Sequence, residues 1–208
     1  MVLAATLIGI SGCGEKVNDP GPPAPAGERM KPLVQQFKDA RARAKSDFER
    51  SAFDHAIKTG KIDYADYEES FSRYRQCVAD AGITETYAKQ SNGIYRVTSE
   101  PSGADPKEYL KASGECADNT GLARLEAIYR TQVDNPDLLA DPRLVVVRCL
   151  IKAGLVPPDY TTGKLAEFLN SKDLSSGADF DPMNAEAQKC LTAGGIAIDS
   201  GAGQTSGG

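Results

Sequence analysis

The stretch CVADAGI, residues 77–83, contains the pattern from which the fold of this chain can be argued. A second stretch, CLIKAGL at residues 149–155, has the same order of cysteine, three residues, Ala-Gly and an aliphatic residue. CLTAGGI at residues 190–196 is closely related, with the Ala-Gly one position earlier. A glycine about one turn after a helical residue is typical of a helix C-terminus, where the backbone turns left-handed. We therefore expect these cysteines in the last turns of helices.

Four cysteines, Cys77, Cys116, Cys149 and Cys190, remain once Cys13 is set aside. In an exported chain an even number of cysteines indicates disulfide bonds, and four cysteines allow three pairings. Similar intervals, 116 − 77 = 39 and 190 − 149 = 41 residues, favour Cys77–Cys116 and Cys149–Cys190. A structural zinc site would need close cysteine pairs such as Cys-x-x-Cys, which the sequence lacks. We predict two disulfides, no metal site and no cofactor.

The N-terminal residues carry a signal for location. Residues 2–10, VLAATLIGI, are apolar or small, and this run has the length of a signal-peptide core rather than the ~20 residues of a membrane span. It ends at Ile10-Ser11-Gly12-Cys13, which resembles the lipobox of bacterial lipoproteins. The resemblance implies that residues 1–12 are a signal peptide and that Cys13 receives a diacylglyceryl group. A buried N-terminal strand with an incidental cysteine is the alternative.

The segments around the domain differ from it in composition. Residues 13–32 are rich in Pro and Gly without apolar periodicity, so we expect an extended, unpacked tether after the lipid. Residues 196–208 are of low complexity and expected to be disordered. The domain would span residues 33–195. The matching cysteine intervals raise the hypothesis of a distant duplication with halves 33–135 and 136–195.

The composition of the chain limits the classes of function that it can have. The 208 residues, 40% hydrophobic and 25% charged, suffice for one moderately large core or two small ones. A net charge of −5 gives no basic footprint for nucleic acid. Aromatic residues make up 7% of the chain and Trp is absent, which disfavours carbohydrate stacking.

Helical periodicity dominates the domain. Lys31-Pro32 opens a helix that we expect to continue to Thr59-Gly60-Lys61. Charged residues between its apolar positions, Glu49 among them, are interpreted as a solvated face. The apolar stripe consists of Leu33, Phe37, Ala40, Ala44, Phe48, Ala52 and Ala56.

Later helices are each expected to begin at a capping residue, and the helix after Asp63 should form a hairpin with the first one. Asp118 to Gly121 is predicted to break or kink a helix. The predicted caps are Asp63, Asp105, Asp141, Thr161 or Thr162, and Asp181.

A β-hairpin is predicted at about residues 83–99, on either side of Ser91-Asn92-Gly93. A two-residue loop would set Lys89 opposite Arg96, a like-charge pair that destabilises a sheet. We therefore predict a three-residue loop with Gly93 left-handed, which pairs Tyr87 with Val97 and Lys89 with Tyr95. Tyr87, Tyr95 and Val97 then share one face, which would cover the helices. The predicted fold is mainly α, a disulfide-braced helical domain with one small β-hairpin.

The order of a helix, GKIDYADYEESFSRYRQC (residues 60–77), Gly82, the hairpin and a second cysteine-bearing helix resembles a group of small exported lipoproteins from actinobacteria. Tyr74-x-x-Cys77-x4-Gly82 is its most recognisable part, and the likeness covers about residues 45–135. Val146 replaces the tyrosine in the second half. The resemblance implies an exported location and disulfides, and it indicates nothing about activity.

We predict no catalytic residue. The sequence has no G-x-S-x-G or S-x-x-K motif, and TTGKL lacks the flanking residues of a phosphate loop. The single histidine, His55, is interpreted as a surface or core residue. Asp66, Glu68 and Glu69 are interpreted as charges that favour a helix N-terminus. Asp179 and Asp181 flank Phe180, and Asp181 is interpreted as a cap.

Three functions remain open. The favoured one is a non-catalytic binding or interaction module of the cell envelope, held on the extracytoplasmic face of the cell membrane by the lipid on Cys13. Its partner would be an envelope protein or a cell-wall component. A glycan hydrolase using two carboxylates is the first alternative. The second is a disulfide-braced secreted inhibitor presenting residues 88–96, for which Tyr87, Ile94 and Tyr95 should be exposed.

Overall fold

The computed structural model describes residues 29–90, 92–99, 105–171 and 179–196. Within these ranges the chain forms eight helices and one two-stranded antiparallel hairpin, which confirms the predicted fold class. The elements are α1 Leu33–Arg41, α2 Asp47–Thr59, α3 Tyr64–Asp80, β1 Glu85–Lys89, β2 Tyr95–Ser99, α4 Pro106–Asn119, α5 Leu122–Asp134, α6 Pro142–Lys152, α7 Thr162–Leu169 and α8 Ala185–Ala193.

The predicted signal peptide, Cys13 and the tether up to residue 28 lie outside the described residues, as does the predicted tail from residue 197 onward.

The buried side chains form two clusters on either side of the α5–α6 loop. Helices α1 to α5 and the hairpin supply the first cluster, and α6, α7 and α8 supply the second. Leu139 and Val145 are buried but belong to neither. We call the boundary between the clusters the seam. The largest buried side chains of the first cluster are Phe37, Phe53, Tyr67 and Phe71, and those of the second include Leu150, Tyr160, Leu165 and Leu191.

Both predicted disulfides are present. Cys77 joins Cys116 with 5.7 Å between the Cα atoms and links α3 to α4. Cys149 joins Cys190 with 5.3 Å between the Cα atoms and links α6 to α8. Each disulfide therefore braces one cluster internally, and neither crosses the seam.

Each disulfide cysteine is followed five residues later by a left-handed glycine and then by Ile or Leu. After Cys77, the amide of Ile83 donates to Val78 O at 3.1 Å and that of Gly82 to Ala79 O at 2.9 Å. This double closure is the Schellman motif, which requires left-handed φ at the glycine. The φ angles are +74° at Gly82, +82° at Gly121, +69° at Gly154 and +76° at Gly195.

After the fourth cysteine the left-handed glycine is Gly195 rather than Gly194, so CLTAGGI keeps the same register as the others. The glycine after Cys116 repeats the same spacing, which was not predicted. That glycine, Gly121, ends α4 and precedes α5, so the predicted discontinuity is a full break between two helices.

The first helix is also interrupted, contrary to the single stripe predicted from residue 33 to residue 56. Helix α1 ends at Arg41, and α2 begins at Asp47 with Ser46 as its N-cap. The Ser46 hydroxyl accepts a hydrogen bond from the amide of Glu49 at 3.1 Å. This cap satisfies an amide that a continuous helix would satisfy with its own backbone. The periodicity continues across the break because α1 and α2 pack against each other over the same cluster.

The hairpin has the predicted register, with Tyr87 paired to Val97 and Lys89 to Tyr95. Gln90 N donates to Ile94 O at 2.8 Å, which leaves the predicted three residues in the loop, and Gly93 has φ +85°. Ser91, within this loop, lies outside the described residues. The side chains of Tyr87, Tyr95 and Val97 pack on the first cluster, as predicted.

Three predicted caps are confirmed, Asp63 occupies the N-cap position of α3 without a side-chain hydrogen bond to an amide, and Asp181 is wrong. The side chains of Asp105, Asp141 and Thr161 accept amide hydrogen bonds at the starts of α4, α6 and α7. Asp181 accepts from Met183 N at 2.8 Å, but α8 starts three residues after that aspartate would predict. The N-cap of α8 is Asn184, whose side chain accepts from two amides.

Candidate functional site

The loop between α5 and α6 is held in shape by one buried amide side chain. Asn135 Nδ2 donates to Leu139 O at 2.9 Å, and Leu139 N donates to Asn135 Oδ1 at 2.9 Å. Between them Leu138 has φ +54°, a left-handed conformation that is uncommon for leucine. Since this loop crosses the seam, Asn135 fixes the backbone that joins the two clusters.

The N-terminal segment is fastened to the same loop. Met30 N donates to Leu138 O at 2.6 Å, and Arg29 forms an antiparallel bridge with Leu139. Arg29 Nη1 also donates to Asp137 O at 3.3 Å. We call Arg29 and Met30 the strap. These two residues were predicted to belong to an unpacked tether, so that prediction was wrong for its last residues.

A concave groove of about 280 Å³, which we call the seam groove, is lined by the strap, α5, the α5–α6 loop, α6 and α8. Among its polar residues, Thr131 Oγ1 donates to Ala127 O at 3.0 Å, and Arg130 pairs with Glu126 at 3.0 Å. Within the described residues no carboxylate lines the groove. Its walls suit a small apolar group. The lining residues are Met30, Arg130, Thr131, Asn135, Leu139, Ala140, Pro142, Val145 and Ala193.

A charged constellation is centred on the buried Glu49 and has a structural role. Glu49 is fully buried, and its two carboxylate oxygens accept from Arg124 Nε and Nη2. Arg124 also contacts Asp118, which in turn pairs with Lys45. Hydrogen bonding to Glu49 raises the pKa of Arg124, and hydrogen bonds from Lys45 and Arg124 lower the pKa of Asp118. The interpretation of Glu49 as a solvated residue was therefore wrong.

A second constellation joins the hairpin to α3 and α4. Glu85 Oε1 accepts hydrogen bonds from the hydroxyls of Tyr74 and Tyr109, each at 2.9 Å. The other oxygen of Glu85 is buried without a hydrogen-bond partner. Burial, and then Glu85, raise the pKa of Tyr87 to about 12, and the same two causes raise the pKa of Tyr74. These contacts attach the first strand to two helices.

The acidic residues of α3, interpreted as helix-start charges, have specific partners. Glu68 accepts from Tyr95 Oη at 3.1 Å and from Lys89 Nζ at 3.2 Å, and so binds the hairpin. Glu69 pairs with Arg73 at 2.8 Å on the surface. Each of these carboxylates stabilises local structure.

His55 lies at the surface between two carboxylates. Its Nδ1 is 3.2 Å from Asp66 Oδ2 and its Nε2 is 3.5 Å from Asp63 Oδ2. Asp63 also pairs with Lys61 at 3.0 Å and does not hydrogen-bond to an amide of α3, although it occupies the N-cap position. In the ranges that the structure describes, no three His, Cys, Asp or Glu residues are placed to hold a metal ion.

The two alternative functions, a secreted inhibitor and a glycan hydrolase, each require a feature that can be sought in the structure. Ile94 is fully buried, and Tyr87 and Tyr95 are half-buried against the helices, so the hairpin does not present them as an inhibitory loop would. The seam groove has no carboxylate pair of the kind that a glycan hydrolase uses. None of the described helices is long and apolar enough to cross a membrane.

Comparison with models of known protein families, with curated proteins and with solved structures gave no match for the chain. The resemblance to exported actinobacterial lipoproteins and the lipidation of Cys13 therefore stay predictions. Of the predicted site residues, the structure joins Cys77 to Cys116 and Cys149 to Cys190. The seam groove was missed, because its walls come from segments that are far apart in the sequence.

Proposed function

We propose that this protein is a non-catalytic binding or interaction module, held on the outer face of the cell membrane by a lipid on Cys13. The seam groove is its binding site. Two disulfides support an oxidising, extracytoplasmic location, where such bonds persist. The likeness of Ile10 to Cys13 to a lipobox supports the anchor.

One observation carries the choice of site, namely that helices from both sides of the seam, α5 on one and α6 and α8 on the other, line the groove together with the strap. Ligand sites are found preferentially where two packed units meet, and they are mostly apolar with a few polar groups. The groove fits a small apolar group, such as one side chain of an envelope protein. The conspicuous carboxylates, Glu49, Glu68 and Glu85, support a non-catalytic role because each accepts hydrogen bonds that hold the fold together.

The anchor is tested by fractionating cells that express Cys13→Ser. After the membranes are washed in high salt, we expect the parent protein in the membrane fraction and the variant in the soluble extracytoplasmic fraction. Unchanged fractionation of Cys13→Ser would remove the anchor from the proposal.

The groove is tested by filling it. Ala140 is exposed and lines the groove, so Ala140→Phe should obstruct it, whereas Ala153→Phe changes an exposed residue at the end of α6 outside the groove. Components crosslinked to the parent protein in intact cells should be retained by Ala153→Phe and lost with Ala140→Phe. Equal crosslinking of both variants would exclude the groove as the site.

A further inference from the structure

The chain enters the folded domain through an exposed surface that is both basic and apolar. Arg29, Met30 and Lys31 are exposed, and Val34, in the first turn of α1, is 36% exposed. We call these four residues the strap patch. In the described part of the chain, four large apolar side chains are exposed, and Met30 and Val34 are two of them.

The strap patch is fastened to the α5–α6 loop through its first two residues. Its backbone is fixed by the bond from Met30 N to Leu138 O and by the bridge between Arg29 and Leu139. Met30 also lines the seam groove. Whatever the patch contacts therefore sets the orientation of the groove.

The cations of the patch keep charge available to a partner. Arg29 donates to a backbone carbonyl, that of Asp137, which does not neutralise the guanidinium. Lys31 pairs with Asp39 at 2.8 Å, but its side chain is 68% exposed, and such exposed pairs are weak and easily exchanged. The carboxylate of Asp137 faces Arg148, 3.4 Å away.

The position of the patch limits its distance from the proposed anchor. Cys13 precedes Arg29 by 16 residues (29 − 13 = 16), so a fully extended segment spans at most about 55 Å. A surface held within such a distance meets the bilayer at high effective concentration, which adds to the affinity that the patch has by itself.

We propose that the strap patch contacts the headgroup region of an anionic bilayer, so that the seam groove opens beside the membrane surface. This inference rests on the proposed lipid anchor. Arg29 and Lys31 face lipid phosphates, while Met30 and Val34 enter the interface, the combination by which peripheral segments bind lipid. The chain as a whole carries −5, so attraction to an anionic surface has to come from local cations such as those of the patch.

The test uses the full chain with Cys13→Ser, so that no lipid anchor contributes. Its co-sedimentation with phosphatidylcholine vesicles is measured with and without phosphatidylglycerol. We expect binding only to the anionic vesicles and loss of binding in high salt. Arg29→Gln/Lys31→Gln should weaken this binding about 30-fold, because each basic residue near an anionic surface contributes about 1 kcal/mol.

Helix α4 offers a matched control, since Lys107 and Lys111 are also exposed and lie beside Leu110, which is 66% exposed. Lys107→Gln/Lys111→Gln should bind anionic vesicles as the parent does. Equal weakening by both double variants, or no binding to anionic vesicles at millimolar lipid, would overturn the proposal. Fractionation of Cys13→Ser in cells tests the anchor independently, so failure of the patch and failure of the anchor give different results.

Discussion

At the scale of single residues, one buried carboxylate determines how α2 meets the α4–α5 junction. Glu49 is fully buried and is held by Arg124 from a position 75 residues away in the sequence. A buried ion pair adds little net stability, but removal of one partner leaves an uncompensated charge. The absence of a side chain at Gly121 leaves the room that Glu49 occupies.

Arg124→Ala should therefore lower the free energy of unfolding by about 3–5 kcal/mol, measured by urea denaturation, because Glu49 stays buried without its partner. Arg41→Ala breaks an exposed pair with Asp54 and serves as the control with a much smaller effect. Equal losses in the two variants would show that Glu49 is not a buried charge in solution.

Gly121→Ala should be more destabilising than Gly154→Ala. Both glycines are left-handed, so each substitution costs about 1–2 kcal/mol from the backbone alone. A Cβ atom at residue 121 would also lie 2.9 Å from Cγ of Glu49, whereas nothing lies within 4 Å of one at residue 154. Urea denaturation of both variants measures the difference, and equal midpoints would contradict the close approach.

The sequence was informative at this scale only where the signal was local. Ser46 and Glu49 form the Ser-x-x-Glu pattern of a capping box, which could have predicted both the helix break and the special position of Glu49. That Arg124 is the partner of Glu49 could not be predicted, because any of the many Lys and Arg side chains could pair with a carboxylate.

At the scale of elements, the hairpin is attached to the helices through tyrosine hydroxyls and carboxylates. Its register followed from the sequence, because a two-residue loop would have opposed Lys89 to Arg96. The attachment of the hairpin to the helices could not be predicted from the sequence, since the partners of Glu85 lie on two different helices, at Tyr74 and Tyr109. A repulsion between near neighbours is local, whereas a contact between elements depends on the folded geometry.

The raised pKa of the Tyr87 hydroxyl predicts that the protein loses stability at alkaline pH. The pKa of Tyr87 is raised to about 12, whereas an unfolded tyrosine has a pKa near 10. The folded state therefore holds the Tyr87 proton more tightly than the unfolded state. The stability that this proton contributes is complete below pH ~10 and is lost as the pH rises through about 12. Urea denaturation at pH values across this window should show a steeper decline for the parent than for Tyr87→Phe. Parallel declines would contradict the shifted pKa.

At the scale of the whole molecule, two clusters share one chain and each has its own disulfide. The pairing was predictable because the intervals of 39 and 41 residues are similar. The strap was not predictable, because a two-residue bridge from Arg29 to Leu139 leaves no periodic pattern in the sequence.

Removing one disulfide should loosen one cluster selectively. Closure of a loop of 41 residues stabilises by about 4 kcal/mol in the chain-entropy model, so Cys149→Ala/Cys190→Ala should speed amide hydrogen exchange in α6 and α8. Exchange in α3 and α5 should stay slow. Cys77→Ala/Cys116→Ala is the matched variant and should give the reverse pattern, whereas uniform loss of protection in either variant would indicate a single cooperative unit.

Mass spectrometry of the protein isolated from its native membrane, digested without reductant, tests the central claim most directly. We predict that the N-terminal peptide begins at Cys13 and carries acyl chains, and that the linked peptides join Cys77 to Cys116 and Cys149 to Cys190. An unmodified peptide that continues through residues 1–13, or a disulfide that crosses the seam, would contradict the account.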